Sequence, residues 1–270
     1  MKTTGGVLKW VLIVIAAVIV LGIVVFLVAG NQLIKFGITK GASSALKVPV
    51  ELGSINLSVL GGSVKLKDLV VHNPAGYELP TLMKLGGADV KVTIGSLMSD
   101  KVDIDHIILD NIEVSIEQKG FSTNLNDILK SLPKSEDTAP ATSEPAAGGK
   151  KLYIKTLEIN NVSVTAKLLP IPGKSSAVTF KIAPITMTDL GSDNKLDMAA
   201  LTGKILAAIA EGVAKQGADL LPADVTGSLK SGLGKTGELL QGAGSKAGET
   251  GKKLGEGLLG VFKKKDPNSK

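Results

Sequence analysis

Residues 101–118, KVDIDHIILDNIEVSIEQ, and residues 151–168, KLYIKTLEINNVSVTAKL, align with each other at an offset of 50. Each begins with apolar residues in the order apolar-x-apolar-x-x-apolar-x-apolar: Val102, Ile104, Ile107 and Leu109 in the first, Leu152, Ile154, Leu157 and Ile159 in the second. Each then reaches an asparagine, Asn111 or Asn161, and alternates again through Ile112, Val114 and Ile116 or Val162, Val164 and Ala166. A period of two is the pattern of a half-buried strand. The two-residue step in the middle shifts the inward face by one position, which a β-bulge or short corner would do.

Working outward, the same order occurs at Val50, Leu52, Ile55 and Leu57, at Val64, Leu66, Leu69 and Val71, and at Phe180, Ile182, Ile185 and Met187. The copy that starts at Val64 also reaches an asparagine, Asn73. Asparagine favours turns and tolerates left-handed backbone, so the repeating unit reads as strand, tight turn, strand. The expected fold is mainly β (α+β), with an antiparallel sheet of repeated strands over 48–131 and 151–190. Its apolar face must be covered, either by a second sheet in a sandwich or by lipid chains in an open groove. In the groove reading Val64, Leu66, Val102, Ile104, Ile112, Val114, Leu152 and Ile154 line the inner wall. About ten strands at roughly 4.8 Å spacing would span about 50 Å.

The remaining segments have other compositions. Residues 10–30, WVLIVIAAVIVLGIVVFLVAG, carry no charge. At 1.5 Å per residue they form a helix about 31 Å long, which matches a hydrocarbon core of roughly 30 Å. The h-region of a cleaved signal peptide is about 7–15 residues long, so a retained single-pass anchor is the better reading. A short tail (1–9) before a long domain favours a cytoplasmic N-terminus and an exported body. A juxtamembrane helix follows over 31–47. Residues 132–150, rich in Pro, Ala, Ser and Thr, read as a disordered insertion. Leu196, Leu201, Ile205, Ile209 and Val213 share a helical face, so a helix over 196–216 covers the sheet, with Asp193 or Asn194 as its N-cap.

Residues 217–270 form a tail rich in Gly and Lys. Each helical glycine costs roughly 1 kcal/mol relative to alanine, so from 225 onward it should be largely unfolded in water. At a membrane surface its leucines could fold it as an amphipathic helix. Leu254, Leu258, Leu259 and Phe262, with the basic cluster Lys263, Lys264 and Lys265, would make that contact.

Composition narrows the function. The chain has 270 residues and a net charge of +6, no cysteine and 3% aromatic residues, and all 31 of its basic residues are lysine. Bidentate anion recognition favours arginine, and single-stranded nucleic acid needs aromatic platforms. The charge therefore points to anionic lipid and not to nucleic acid. The two histidines, His72 and His106, have no partners at metal-site spacing. Gly232-Leu233-Gly234-Lys235-Thr236 lacks the spacing of a phosphate loop. No nucleophile has a believable base, so no enzyme and no cofactor is expected.

One resemblance adds to this. Leu69, Asn73, Pro74, Gly76 and Tyr77 make a strand running into an NP-x-G-aromatic turn. Ser96 and Leu97 form a short step, Ile104, Ile107, Leu109 and Ile112 a strand pair, and Asn124-Leu125 its end. Behind an N-terminal membrane helix, this order resembles the N-terminal part of the AsmA family of bacterial envelope proteins. Asn111 stands where family members often have glycine, and the glycine-rich tail is not part of the family pattern. The resemblance implies a single-pass inner-membrane anchor, a β-rich body in the periplasm, and a role in lipid binding, lipid transport or outer-membrane homeostasis. The partners it implies are membrane lipids, with room for an envelope protein. The alternative is a membrane-tethered scaffold whose amphipathic tail contacts a second membrane surface or a partner. The oligomeric state stays open.

Overall fold

The computed structural model describes residues 30–58, 61–132, 150–169 and 177–240. The anchor reading of residues 10–29, the insertion over 133–149 and the surface contacts of Leu254, Leu258, Leu259, Phe262, Lys263, Lys264 and Lys265 lie outside the described residues. Among the described residues no helix is long and apolar enough to cross a membrane.

The chain opens with a helix over 30–46 (α1). Four strands follow: β1 (Val50–Ser58), β2 (Ser63–His72), β3 (Thr81–Val92) and the 19-residue β4 (Lys101–Lys119). A short 3-10 turn, Ile94–Met98, joins β3 to β4. After β5 (Ser122–Thr123) and α2 (Asn124–Ser131), the chain returns through β6 (Lys151–Ile159), β7 (Val162–Lys167), β8 (Ala177–Ile182) and β9 (Ile185–Leu190). It continues through α3 (Met198–Gln216) into α4 (Ala223–Leu240).

The strands make one nine-stranded sheet ordered β1-β2-β3-β4-β6-β9, with β7 beside β4 and β8 beside β7. β6 and β7 run in line along β4, and β9 and β8 run in line beside them. The sheet is therefore only six rows wide, about 25–30 Å at 4.8 Å spacing, about half the width expected from separate strands.

The offset seen in sequence is a pairing register. β4 pairs in parallel with β6 and β7, and every matched pair is 50 residues apart, from Lys101↔Lys151 through Ile107↔Leu157 to Glu117↔Lys167. The two copies thus lie side by side, and the expected antiparallel sheet is in fact mixed. The reason is the connection. A parallel pair needs a crossover of a dozen or more residues, and residues 120–150, with α2 among them, supply one.

Asn111 and Asn161 do not reverse the chain either. β4 passes straight through Asn111, which adopts φ 57, and Asn161 adopts φ 52 between the colinear β6 and β7. The strand ladder continues across this break, with Asn160 N–H donating to the Leu109 carbonyl (2.8 Å) and Ile112 N–H to the Asn161 carbonyl (3.2 Å). Asp68 (φ 57) sits at the same level in β2. Register places Gly53 opposite Asp68, Asp68 opposite Gly86, and Gly86 opposite Asn111. This is a crease across the whole sheet, ending at Ala183-Pro184 between β8 and β9. A second crease passes through the irregular pairing at Lys91/Val92 and through Asp189 (φ 55) in β9. At each crease the odd residue returns the apolar side chains to the same face, which is the physical meaning of the two-residue step. Because neighbouring strands carry it at one level, register is kept.

The apolar face is covered by helices, not by a second sheet. α3 rests on β8 and α2 on β4, with α4 packed against both helices. The opposite face is polar and exposed at Lys65, Lys67, Lys84, Glu113 and Lys155. The N-cap of α3 is Asp197, beyond the expected Asp193 or Asn194, with its carboxylate accepting from Ala200 N–H at 2.9 Å. The expectation of an unfolded tail fails over 225–240, where α4 is helical. Val225 and Leu229 are fully buried, and Gly232 leaves no bulk between α4 and the Asn126 and Leu129 side chains of α2. Tertiary burial outweighs the propensity cost of the glycines.

The crease generates a prediction. Asn111→Gly should be nearly neutral. Asn111→Val, which places a β-branched residue in left-handed backbone, should cost about 1–2 kcal/mol. Gly86→Val should cost about 1–3 kcal/mol, because even a Cβ at Gly86 would stand 3.0 Å from the Asn111 Cβ. Urea unfolding of the full chain, followed by circular dichroism, measures all three.

Candidate functional site

Along α1, Ile34, Ile38, Ala42 and Leu46 recur every four residues and so share one face. On α3, Leu201, Ile205 and Leu206 face the same way. Between these faces and the sheet lies a cavity of about 360 Å³. Its floor is built by β2, β3 and β4, through residues such as Leu66, Leu85, Ala88, Ile104 and Ile107, with Leu152 at one side. Among the described residues Thr202 is the one polar residue in the wall.

The shape follows from side-chain size. In its second half α3 carries Ala207, Ala208, Ala210, Gly212 and Ala214, all buried. A Cβ on Gly212 would meet Ile182, so the helix sits directly on β8 there. In its first half Leu201, Ile205 and Leu206 hold the helix off the sheet. α1 closes the roof, with Gly41 against the Met198 side chain.

Six of the eight groove residues expected from sequence line this cavity: Val64, Leu66, Val102, Ile104, Ile112 and Leu152. Val114 and Ile154 do not; both are sealed in the packed core. For Val114 the reason is its place beyond the first crease, toward the end of β4 on which α2 packs. The α1 wall was not assigned to the groove by sequence reasoning, yet its four-residue spacing was legible in 34–46.

Of the residues that carry the AsmA resemblance, Leu69, Ile104, Ile107, Leu109 and Ile112 line the cavity, while Asn73, Tyr77 and Asn124 meet elsewhere, at the far end of β4. Asn124, fully buried at the start of α2, donates from Nδ2 to Asn73 Oδ1 (2.8 Å) and to the Ser115 carbonyl (2.8 Å). Its Oδ1 accepts from Glu117 N–H (3.0 Å) and Leu125 N–H (2.8 Å). The buried Glu117 carboxylate accepts from the backbone N–H groups of Glu78 (2.8 Å) and Leu79 (2.7 Å). Tyr77 donates its hydroxyl to Asp127 (2.6 Å). This network fastens the 73–80 turn onto β4 and α2, and it satisfies the buried polar groups it contains. Burial pushes the Tyr77 hydroxyl well above the ordinary tyrosine range, and its bond to the Asp127 carboxylate raises it further.

Among the described residues no group of three or more His, Asp or Glu side chains is placed to hold a metal ion. Compared with known proteins, the chain matches no family model, no curated protein and no solved structure.

Two predictions follow from the geometry. Ala88→Met projects into the cavity and, in chain purified free of lipid, should raise stability by about 0.5–2 kcal/mol. Ala166→Met, in a core position outside the cavity, should lower it by about 1–3 kcal/mol. The Tyr77 hydroxyl gives a pH test. A group whose pKa is raised on folding stabilises the fold fully below its unfolded value, near 10 for tyrosine, and loses that contribution as pH rises toward the folded value. Wild type should therefore exceed Tyr77→Phe in stability by about 1 kcal/mol at neutral pH, and this advantage should shrink above about pH 10.

Proposed function

We propose that this protein is a membrane-anchored, non-enzymatic envelope protein whose β-rich body holds an apolar lipid chain. The observation that carries this is the cavity between the sheet and α1/α3, with a wall apolar but for Thr202. At about 360 Å³ it falls within the roughly 300–1,000 Å³ of small-molecule sites. At roughly 30 Å³ per water-sized group it takes about a dozen such groups, which suits one acyl chain better than two. Each methylene moved into it from water contributes about 0.8 kcal/mol.

The charge-free run over 10–30 supplies the membrane attachment in this reading, with the N-terminus in the cytoplasm and the body in the periplasm. Kinship with the AsmA family is part of the proposal and rests on the order of residues from Leu69 to Leu125. With a sheet only six rows wide, the body suits holding or handing over a lipid and does not suit bridging two membranes alone.

The experiment is photocross-linking in the full chain within cell membranes. A benzophenone amino acid at Leu66 or Ile104, on the cavity floor, should form a covalent lipid adduct detectable by mass spectrometry. The same probe at Lys67 or Lys84, on the exposed face, should not. Equal yields at both sets of positions, or none at the cavity positions, would sink the lipid-holding reading.

A further inference from the structure

The described chain begins at Gly30, immediately after the apolar run. Gly30 is buried, and a Cβ there would stand 3.7 Å from Leu57. Leu57 lies near the end of β1 and pairs with Val64 at the start of β2. This is also the end where β3 finishes and β4 begins, since Val92 N–H donates to the Gly62 carbonyl (2.7 Å). The 94–98 turn sits there, with Ile94 against Gly62. Gly30 therefore lies at the end of the sheet that carries this turn.

A surface turn is ordinarily polar, but this one is apolar. Ile94 is 45% exposed, Leu97 44% and Met98 93%. The turn is also held in shape. Ser96 is buried, and its hydroxyl donates to the Thr93 carbonyl (2.7 Å) and accepts from Asp103 N–H (2.8 Å). With Ser96 fixed inward, Leu97 and Met98 stay outside. Around them stand Lys91, Lys101, Lys150 and Lys151, against Asp100 and Asp103. Lys150 donates to the Leu97 carbonyl itself.

Part of the cavity wall lies at the same end. Ile34, Val64, Val92 and Val102 of that wall are partly exposed and lie near this edge, as Ile38, Leu69, Thr202 and Ile205 are elsewhere along it.

We propose that the 94–98 turn enters the interface of the bilayer that holds residues 10–29, which turns the partly exposed wall residues Val64, Val92 and Val102 toward the acyl layer of that membrane. Ile94, Leu97 and Met98 supply the apolar contact, and the lysines meet anionic headgroups at its rim. This rests on the anchor reading of residues 10–29 but not on lipid occupancy of the cavity.

The test uses the absence of cysteine. Met98→Cys, Phe121→Cys and Val20→Cys are each labelled with the environment-sensitive dye NBD in the full chain, reconstituted in vesicles of phosphatidylethanolamine and phosphatidylglycerol. Doxyl-labelled lipid serves as quencher. Phe121 is 88% exposed and lies just past the other end of β4, up to about 60 Å away. The expected result is blue-shifted emission and strong quenching at position 98, approaching that at position 20, with neither at 121. If 98 behaves as 121 does while 20 is quenched, the proposal is wrong and the anchor stands. If 20 itself is not quenched, the anchor reading fails and the proposal with it. The lipid cross-link inside the cavity is read independently of all three labels.

Discussion

A strand that runs 19 residues over one covered face cannot keep strict alternation and also bend. The fold depends on how this conflict is resolved. β2 at Asp68, β4 at Asn111 and the β6–β7 link at Asn161 each place one residue in left-handed backbone at a common level, and the apolar side chains return to the same side. Asn and Asp take the left-handed conformation at lower cost than other side chains, and the glycines opposite them leave room for their Cβ atoms. The apolar face stays continuous only because the crease is shared. A single bulge in one strand would shift its register against both neighbours.

The hollow follows from the same geometry. A creased sheet falls away from straight helices, so contact can be close only where the helix side chains are small. α3 provides this in its second half, where Gly212 rests on Ile182, and withholds it in the first, where Leu201, Ile205 and Leu206 stand between helix and sheet. α1 completes the roof at the height these larger residues set. The polar network around Asn124 and Glu117 closes the other end of β4, holding the 73–80 turn against the start of α2. One end of the body is thus locked by hydrogen bonds, while the other is lined by partly exposed valines and isoleucines.

The sequence makes some of this legible and hides the rest for specific reasons. Alternation with a two-residue step is visible at Ile104-x-x-Ile107 and again at Leu66-x-x-Leu69, and so is the offset between residues 101–118 and 151–168. Alternation carries no strand direction, so it reads equally as antiparallel. Asparagine reads the same whether it opens a turn, as at Asn73, or creases a strand, as at Asn111 with φ 57. The helical face of 196–216 is clear from its period, whereas α4 owes its helix to partners remote in sequence, which local propensity does not register. For the cavity, the sheet half of the wall is readable as inward-facing positions. The α1 half is equally periodic but shorter, and it follows a far stronger apolar signal. Of the residues behind the AsmA resemblance, Asn73, Tyr77 and Asn124 serve the fastening of a turn, whereas Leu69, Ile104, Ile107, Leu109 and Ile112 line the cavity.

The in-register pairing of β4 with its own near-copy has a further consequence. Like faces like along the row, Ile104 beside Ile154 and Asn111 beside Asn161, so the surface that receives 151–168 within the molecule would accept the same segment from another molecule almost as well. The native choice is then set less by the contacts than by the covalent connection through residues 132–150, which holds the strand near its site at a millimolar effective concentration. That stretch, chemically plain as it is, governs whether the chain closes on itself or exchanges strands with a neighbour.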